Sequence, residues 1–268
     1  MAHIVKTPCD DGVIQAAAPP VSPAASRVGS WVLVATILGS SMAFIDGTVV
    51  NVALPVLQTD LKATVADVQW IVEAYALFLS ALILVGGSLG DSFGRRRIFA
   101  SGVSLFTAAS VLCGLTPNVT FLIIARAIQG IGGALLVPGS LAIISASFDS
   151  KQRGRAIGTW SGFSSITSAV GPVLGGFLVQ YATWRWVFFI NVPLAAIVLA
   201  VLFWRVPESR DEADASRLDW LGALLATLGL GTIVYGLIEA GSSSLSNPTV
   251  LTALAIGVIA LVAFLFVE

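Results

Sequence analysis

Eight long apolar runs restrict the fold of this sequence more than any other feature. Each run has about 18–27 residues, which as a helix crosses a hydrocarbon core about 30 Å thick. A helix satisfies its backbone hydrogen bonds internally and therefore tolerates lipid. Only 11% of the residues are charged, too few for a soluble chain. The sequence predicts an all-α integral membrane protein with spans near Trp31–Leu57, Val68–Gly87, Ile98–Leu115, Phe121–Ser145, Ala156–Val179, Trp186–Trp204, Trp220–Ile238 and Val250–Val267.

The spans divide the chain into four regions. Residues 1–30 are rich in Ala and Pro and are predicted to form a flexible cytoplasmic tail. A signal peptide is not predicted, because the first long apolar run starts only at Trp31 and is too long for the apolar region of one. Six spans occupy residues 31–204, a charged linker occupies 205–218, and two further spans occupy 219–268. The chain ends at Glu268 directly after an apolar run, which favours a fragment or a truncated product.

The cationic residues predict the orientation in the membrane. If the tail is cytoplasmic, eleven Lys and Arg residues fall on that side and two fall on the other, while Arg126 lies within a span. Such an excess marks the cytoplasmic side. We therefore expect a multi-pass protein of the cell membrane with both termini cytoplasmic. The eleven are Lys6, Arg27, Arg95, Arg96, Arg97, Lys151, Arg153, Arg155, Arg205, Arg210 and Arg217, and the two are Lys62 and Arg185.

An internal repeat connects the two halves of the six-span region. At an offset of 89 residues, GGSLGDSFGRRRIF (86–99) aligns with GGFLVQYATWRWVF (175–188), and the glycine pair, a leucine, an arginine and a phenylalanine coincide. The first copy joins spans two and three on one side, and the second joins spans five and six on the other. This pattern predicts a 3+3 inverted repeat, as in many transporters. The alternative is chance agreement between glycine-rich segments.

The most specific motif lies between spans two and three. In Gly87-Ser-Leu-Gly-Asp91-Ser-Phe-Gly94-Arg95-Arg96-Arg97, Gly94 can adopt the positive φ of a tight turn and Asp91 can pair with arginines. A basic membrane anchor would explain the arginines but not the spacing of the glycines and the aspartate. The motif resembles the signature loop of the major facilitator superfamily. The resemblance implies a six-helix N-terminal bundle and a gating loop formed by Gly87, Asp91, Gly94, Arg95 and Arg96.

Two further segments sharpen this resemblance. Asp46 lies inside span one in FIDGTVVNVALP, which is similar to the first-helix motif of the fourteen-span drug:proton antiporters. Arg126 begins RAIQGIGG, which resembles the fourth-helix arginine motif of the superfamily. Spans seven and eight resemble the extra helix pair between the two bundles of these antiporters, whose C-terminal bundle is absent from this chain.

Depth along the helices suggests that ionisable groups meet in the membrane. At about 1.5 Å per residue, Asp46, Arg126 and Glu73 fall at a similar level in the outer half of the bilayer. We hypothesise a cluster of two acids and one base, in which Arg126 keeps one carboxylate ionised and the other, preferably Asp46, carries the transported proton. The alternative is a purely structural ion pair.

Span five carries glycines at intervals of four, followed by a glycine–proline segment. The segment resembles the antiporter motif of exporters in the superfamily, and we assign to this motif Gly158, Gly171, Pro172, Gly175 and Gly176. Glycines four apart let helix backbones approach, and proline bends a helix. Generic tight packing is the alternative.

Candidate substrate-binding residues accompany the acids. We expect Asn51, Trp70, Tyr75 and Gln129 to contact substrate. Further aromatic candidates are Phe78, Trp160 and Phe163. The alternative is that these aromatic side chains pack or face lipid. Acidic residues at the same level favour cationic substrates.

These features together predict a proton-coupled exporter of drugs or other amphipathic small molecules. The alternatives are an uptake carrier of the same superfamily and a non-transporting partner half. An enzyme is disfavoured because His3 lies in the tail, Cys9 and Cys113 form no framework, and no nucleotide-binding loop occurs. We expect no cofactor, no metal and no nucleic-acid partner. The expected partners are the lipid bilayer, protons, the substrate and the C-terminal bundle.

Overall fold

The computed structural model describes residues 23–209, 220–242 and 244–267. These ranges are helical and contain no β-strand. Most of the predicted tail (residues 1–22) and of the predicted linker (residues 210–219) lies outside them. The helices are α1 (Pro23–Asp60), α2 (Val65–Phe93), α3 (Arg95–Gly114), α4 (Val119–Ser147), α5 (Ser150–Tyr181), α6 (Trp186–Phe189), α7 (Asn191–Arg205), α8 (Trp220–Ser242) and α9 (Pro248–Val267).

Within the described residues, eight helical stretches are long and apolar enough to cross a membrane, as the sequence predicts. The short helix α6 and helix α7 together form one of them, Trp186–Arg205. Helix α1 begins at Pro23, before the predicted start of its span at Trp31. The apolar run marks the part of a helix that suits lipid, and the helix itself can continue into polar surroundings.

Local signals fix where several helices begin. At the start of α2, the Thr64 hydroxyl accepts from the Asp67 N–H at 3.2 Å, and the Asp67 carboxylate accepts from the Thr64 N–H at 2.8 Å. The Asn118 side chain accepts from the Phe121 N–H at 2.9 Å and caps α4 in the same way. Only Gly94, with φ of 107°, separates α2 from α3. A residue with a Cβ would be strained there, so the sharp turn depends on glycine.

The two three-helix halves of the six-span bundle pack against each other through two equivalent pairs of helices. Helix α4 packs along α2, and helix α1 packs along α5. A Cβ at Gly86 of α2 would overlap the carbonyl oxygen of Ala134 on α4. A Cβ at Gly175 of α5 would lie 3.0 Å from the carbonyl oxygen of Val49 on α1. The aligned glycines of the sequence repeat thus make equivalent contacts, as a 3+3 inverted repeat requires.

The second glycine of each aligned pair has room for a Cβ instead. The nearest atom to a Cβ at Gly87 would be the Pro138 Cβ at 3.8 Å, and a Cβ at Gly176 would have no neighbour within 4 Å. The pairs therefore match: the first glycine permits backbone contact, and at the second a Cβ would meet no clash.

The difference between the two glycines predicts unequal effects of the same substitution. Gly86→Ala forces a methyl group against a backbone carbonyl, and we expect it to destabilise the bundle by about 1–3 kcal/mol. Gly87→Ala gains helix propensity without a clash, so its stability should stay within about 0.5 kcal/mol of the parent or rise slightly. Thermal unfolding of both variants in detergent measures the difference. Equal melting temperatures would argue against the close α2–α4 contact.

The two additional spans lie beside α2. Trp70 of α2 packs against Tyr235 of α8, with ring centroids 6.1 Å apart. A Cβ at Gly257 of α9 would lie 2.9 Å from the carbonyl oxygen of Gly229 on α8, so small residues bring these two helices close together. The pair is therefore attached to the bundle through α2.

Candidate functional site

A buried ion pair joins α1 to α4. Arg126 Nη1 donates to Asp46 Oδ2 at 2.5 Å. The exposed fraction of Asp46 is 0% and that of Arg126 is 1%. A charged pair so completely enclosed needs further hydrogen bonds to offset the loss of water.

Gln129 supplies those hydrogen bonds from the next turn of α4. Its Nε2 donates to Asp46 Oδ1 at 2.8 Å, and its Oε1 accepts from Arg126 Nη1 at 2.8 Å. Residues three apart on a helix share a face, so Arg126 and Gln129 reach the same carboxylate. Both oxygens of Asp46 therefore accept a hydrogen bond, which is the arrangement of an ionised carboxylate.

Two groups on α2 complete the surroundings of the guanidinium. Arg126 Nε donates to the Ile71 carbonyl oxygen at 3.1 Å, and Arg126 Cζ lies 4.3 Å from the centroid of the Tyr75 ring. Close approach of the helices makes this possible, since a Cβ at Gly130 would lie 2.5 Å from the Tyr75 carbonyl oxygen. The glycines after Arg126 thus let α2 reach the arginine.

Helix α3 also reaches this network. The Cys113 thiol lies 3.6 Å from Gln129 Oε1 as a hydrogen-bond donor. We refer to Asp46, Arg126, Gln129, Tyr75 and Cys113 as the buried network.

The predicted third charged member does not join the network. Glu73 is partly exposed, and the described residues offer it no hydrogen bond or ion pair. Ile71 and Tyr75 of the same helix contact Arg126, and at 3.6 residues per turn Glu73 points away from the face that they share. The predicted cluster of two acids and one base is therefore a pair of one acid and one base.

The predicted substrate-binding residues have different environments. Tyr75 and Gln129 are 6% and 0% exposed and belong to the buried network, so in this structure they do not line an open pocket. Trp70 packs against the additional helix α8 through Tyr235. Asn51 is exposed on α1, and its Nδ2 donates to the Gly47 carbonyl oxygen at 3.0 Å. Of the four, Asn51 alone is exposed.

The predicted gating loop lies at the end of the bundle that we call the basic end, defined by the turn Phe93–Arg97. Asp91 Oδ1 lies 2.7 Å from Arg95 Nη2. A Cβ at Gly94 would lie 2.8 Å from Glu208 Oε1. A Cβ at Gly87 would meet only Pro138, at 3.8 Å. Arg96 Nη1 donates to the Val206 carbonyl oxygen at 3.0 Å. The loop is thus bound to the segment that follows α7.

Glu208 is the loop's main partner and was not among the residues selected from the sequence. Its Oε1 accepts from the Arg96 N–H at 2.9 Å, and its Oε2 lies 3.6 Å from Arg97 Nε. The Arg95 N–H donates to the Ser209 carbonyl oxygen at 2.9 Å. Glu208 therefore caps α3 from a segment that is distant in sequence. The sequence did contain a signal for this contact, because this acid follows span six on the same predicted side of the membrane as the three arginines of the loop.

Removal of this cap should loosen the first turn of α3. In Glu208→Ala, we expect the Arg96 amide to exchange its hydrogen faster, by about tenfold for the loss of a charge-assisted bond. Glu208→Gln keeps an acceptor oxygen and should give a smaller increase. Hydrogen exchange read by mass spectrometry on peptides covering 93–99 measures both. Unchanged exchange in Glu208→Ala would contradict the capping role.

The predicted antiporter motif is divided between packed and open glycines. Gly171 contacts α1 at Thr48, and Gly175 contacts α1 at Val49. A Cβ at Gly158 or at Gly176 would have no neighbour within 4 Å, and Pro172 is exposed.

The described residues contain no group of acids, histidines and cysteines suited to a metal ion.

Comparisons with known proteins agree with this architecture. The family model described as Major Facilitator Superfamily matches residues 36–267. The Methylenomycin A resistance protein of Bacillus subtilis (strain 168) is 41% identical over 244 residues, covering 91% of this chain and 52% of that protein. The Puromycin resistance protein pur8 of Streptomyces alboniger is 43% identical over 240 residues, covering 89% and 47%. The chain thus spans about half the length of these curated relatives.

A solved structure shares the fold at lower identity. The bacterial homolog of the human lysosomal transporter Spinster, crystallised inward-facing and occupied, superposes with a TM-score of 0.54 and 24% identity. The match covers 88% of this chain and 60% of that one. Together, the family match, the relatives and the eight-span fold show that this chain belongs to the Major Facilitator Superfamily, a family of membrane transporters and not of enzymes.

Proposed function

We propose that this chain forms the first half of a proton-coupled antiporter that exports amphipathic drugs across the cell membrane. The observation that carries the proposal is the Asp46–Arg126 pair, enclosed within membrane-spanning helices. A charged side chain at the centre of a membrane helix costs at least about 2.5 kcal/mol, and such residues commonly mark ion and proton pathways.

The geometry supports a proton-dependent change of contact between α1 and α4. A proton on Asp46 removes the charge that Arg126 neutralises, so the 2.5 Å ion pair is no longer favoured. Gln129 Nε2 then loses its charged acceptor as well. Two protonation states of Asp46 thus favour two arrangements of α1 against α4, which is what coupling to a proton gradient needs.

The direction of transport is proposed from the relatives, and the orientation in the membrane from the basic residues. Two relatives are named for resistance to methylenomycin A and puromycin, which favours export over uptake. Basic residues gather at one end of the described bundle, and we assign that end to the cytoplasm, with both termini on the same side. Transport in the uptake direction, or no transport when the chain is combined with a second bundle, would contradict the proposal.

An open groove between α1 and α5 supports an amphipathic substrate. Its walls combine the rings of Phe44 and Trp160 with the hydroxyl groups of Ser161, Ser165 and Ser168. Aromatic rings and a few polar groups are the usual lining of sites for drug-sized molecules.

We further propose that a second six-helix bundle covers the open face of α5. Gly154, Gly158 and Gly162 have no neighbour within 4 Å of a Cβ position, although glycines in membrane helices usually mark close packing. The relatives are about twice as long as this chain, so a protein of their length has room for the covering helices.

The open glycines provide a variant that separates folding from transport. Gly158→Leu should leave the melting temperature of this chain within about 2 °C of the parent, since the side chain meets open space. In the transporter assembled with the second bundle, the same variant should reduce export several-fold by blocking helix contact. Gly175→Leu is the matched comparison, because Gly175 is packed against α1 and should lower stability in the chain itself.

Transport of a cationic dye into everted membrane vesicles tests the proposed function. Vesicles carrying this chain together with a second six-span bundle should accumulate the dye only while a proton gradient is present. Vesicles with this chain alone should show no accumulation. Accumulation that survives collapse of the gradient, or dye movement in the uptake direction, would contradict proton-driven export.

A further inference from the structure

Tyr75 lies in a position that the proposed proton exchange leaves unexplained. Its ring is 6% exposed and stacks beneath the guanidinium of Arg126, with 4.3 Å between Cζ and the ring centroid. Phe106 of α3 packs against the ring in an edge-to-face contact, with centroids 6.4 Å apart. The ring is therefore fixed against the arginine and is not available as a substrate contact.

Proton binding to Asp46 removes the counter-ion of Arg126, and the Tyr75 ring can stabilise the remaining charge. Arg126 remains charged at all relevant pH values, so neutralising Asp46 leaves a buried cation without an anion. The groups that remain around it are the Ile71 carbonyl oxygen, Gln129 Oε1 and the face of Tyr75. A buried cation without such support would oppose the arrival of the proton.

The face of an aromatic ring carries negative quadrupole charge, attracts a cation and repels an anion. While Asp46 is ionised, its carboxylate neutralises Arg126, so the attraction of the ring for the cation contributes less. When Asp46 is neutral, the attraction alone remains. The ring thus stabilises the protonated state more than the ionised one.

We propose that Tyr75 is a positioning residue for proton exchange, which supports the Arg126 cation during the interval in which Asp46 is protonated. This inference rests on the proposed function. The other groups that face the pair are Gln129 from α4 and Cys113 from α3, which meets Gln129. Glu73 of α2 makes no contact with the pair among the described side chains.

A double-mutant cycle on the purified chain tests the inference without transport. Asp46→Asn mimics the neutral carboxyl group, so Tyr75→Leu should lower the melting temperature by about 2–4 °C more in Asp46→Asn than in the parent chain. Tyr75→Phe keeps the ring and should show no such difference. Equal effects of Tyr75→Leu in both backgrounds would overturn the inference.

A second series covers the case in which Tyr75→Leu does not fold. Phenylalanine and its fluorinated analogues at position 75 keep the shape of the ring. Each fluorine withdraws electron density and makes the face of the ring less negative. In the Asp46→Asn background, the melting temperature should fall with each added fluorine, and a flat series would overturn the inference.

The pH dependence gives a readout that packing alone would not move. Tyr75→Leu should shift the infrared titration of the Asp46 carboxyl group to lower pH by about 0.5 unit or more, because the protonated state loses support. An unshifted midpoint would count against Tyr75 alone. A carboxyl group that never titrates would instead count against the proposed function, and the mutant cycle would still decide the role of Tyr75.

Discussion

Arg126→Leu should strongly destabilise the chain, because it leaves the Asp46 carboxylate buried without a cation. Breaking a buried pair by removing one partner costs about 3–5 kcal/mol. For a chain of this size we expect the melting temperature in detergent to fall by about 10 °C.

Two variants show whether this loss belongs to the pair. Asp46→Asn combined with Arg126→Leu removes both charges and should recover most of the lost stability, because no uncompensated charge remains. Arg185→Leu removes the same type of side chain from the partly exposed Asp60–Arg185 pair at 3.3 Å and should cost less than about 1 kcal/mol. A double variant as unstable as Arg126→Leu would contradict the pairing account.

Asp46→Asn should abolish the dependence of transport on the proton gradient. The asparagine side chain has nearly the same size but cannot be ionised, so the contact between α1 and α4 no longer responds to protons. In vesicles that carry both bundles, we expect gradient-driven dye accumulation to fall to the level of membranes without the protein. Movement of the dye down its own concentration gradient should continue.

The matched control for this substitution lies on the same helix. Asp60 is at the end of α1, where its carboxylate accepts from Trp184 Nε1 at 2.8 Å and is half exposed. Asp60→Asn should therefore leave gradient-driven accumulation largely intact. Coupling that persists in Asp46→Asn, or is lost equally in Asp60→Asn, would contradict the assignment of the proton site.

Much of the fold could be predicted from the sequence because lipid imposes a simple length rule. The eight apolar runs correspond to the eight candidate spans of the described structure. The repeat at Gly86 and Gly175 predicted which glycines are equivalent, and both permit backbone contact. The break between α6 and α7 was not predicted, since hydropathy reports lipid preference and is insensitive to a local turn at Ile190.

The candidate site was predictable in depth but not in direction. Counting residues along straight helices placed Asp46 and Arg126 at one level, and they meet. The same count placed Glu73 at that level too, but depth says nothing about the rotation of a helix about its axis. Ile71 and Tyr75 face Arg126, and this rotation carries Glu73 away.

The contacts of Glu208 and Cys113 escaped prediction for a related reason. Glu208 acts on a helix start more than a hundred positions earlier, as its bond to the Arg96 N–H shows. Cys113 reaches Gln129 because α3 and α4 pack closely at Gly132, where a Cβ would lie 2.5 Å from the Phe106 nitrogen. Such contacts follow from helix packing and have no short sequence motif.

The most direct test of the central claim is an infrared titration of the purified chain in lipid. We expect a band of a protonated carboxyl group that appears reversibly as the pH falls and is absent from Asp46→Asn. Such a band would show that Asp46 gains and loses a proton within the folded bundle. If no carboxyl band specific to Asp46 appears over the pH range in which the chain stays folded, the Asp46–Arg126 pair is structural and the proposed proton coupling is wrong.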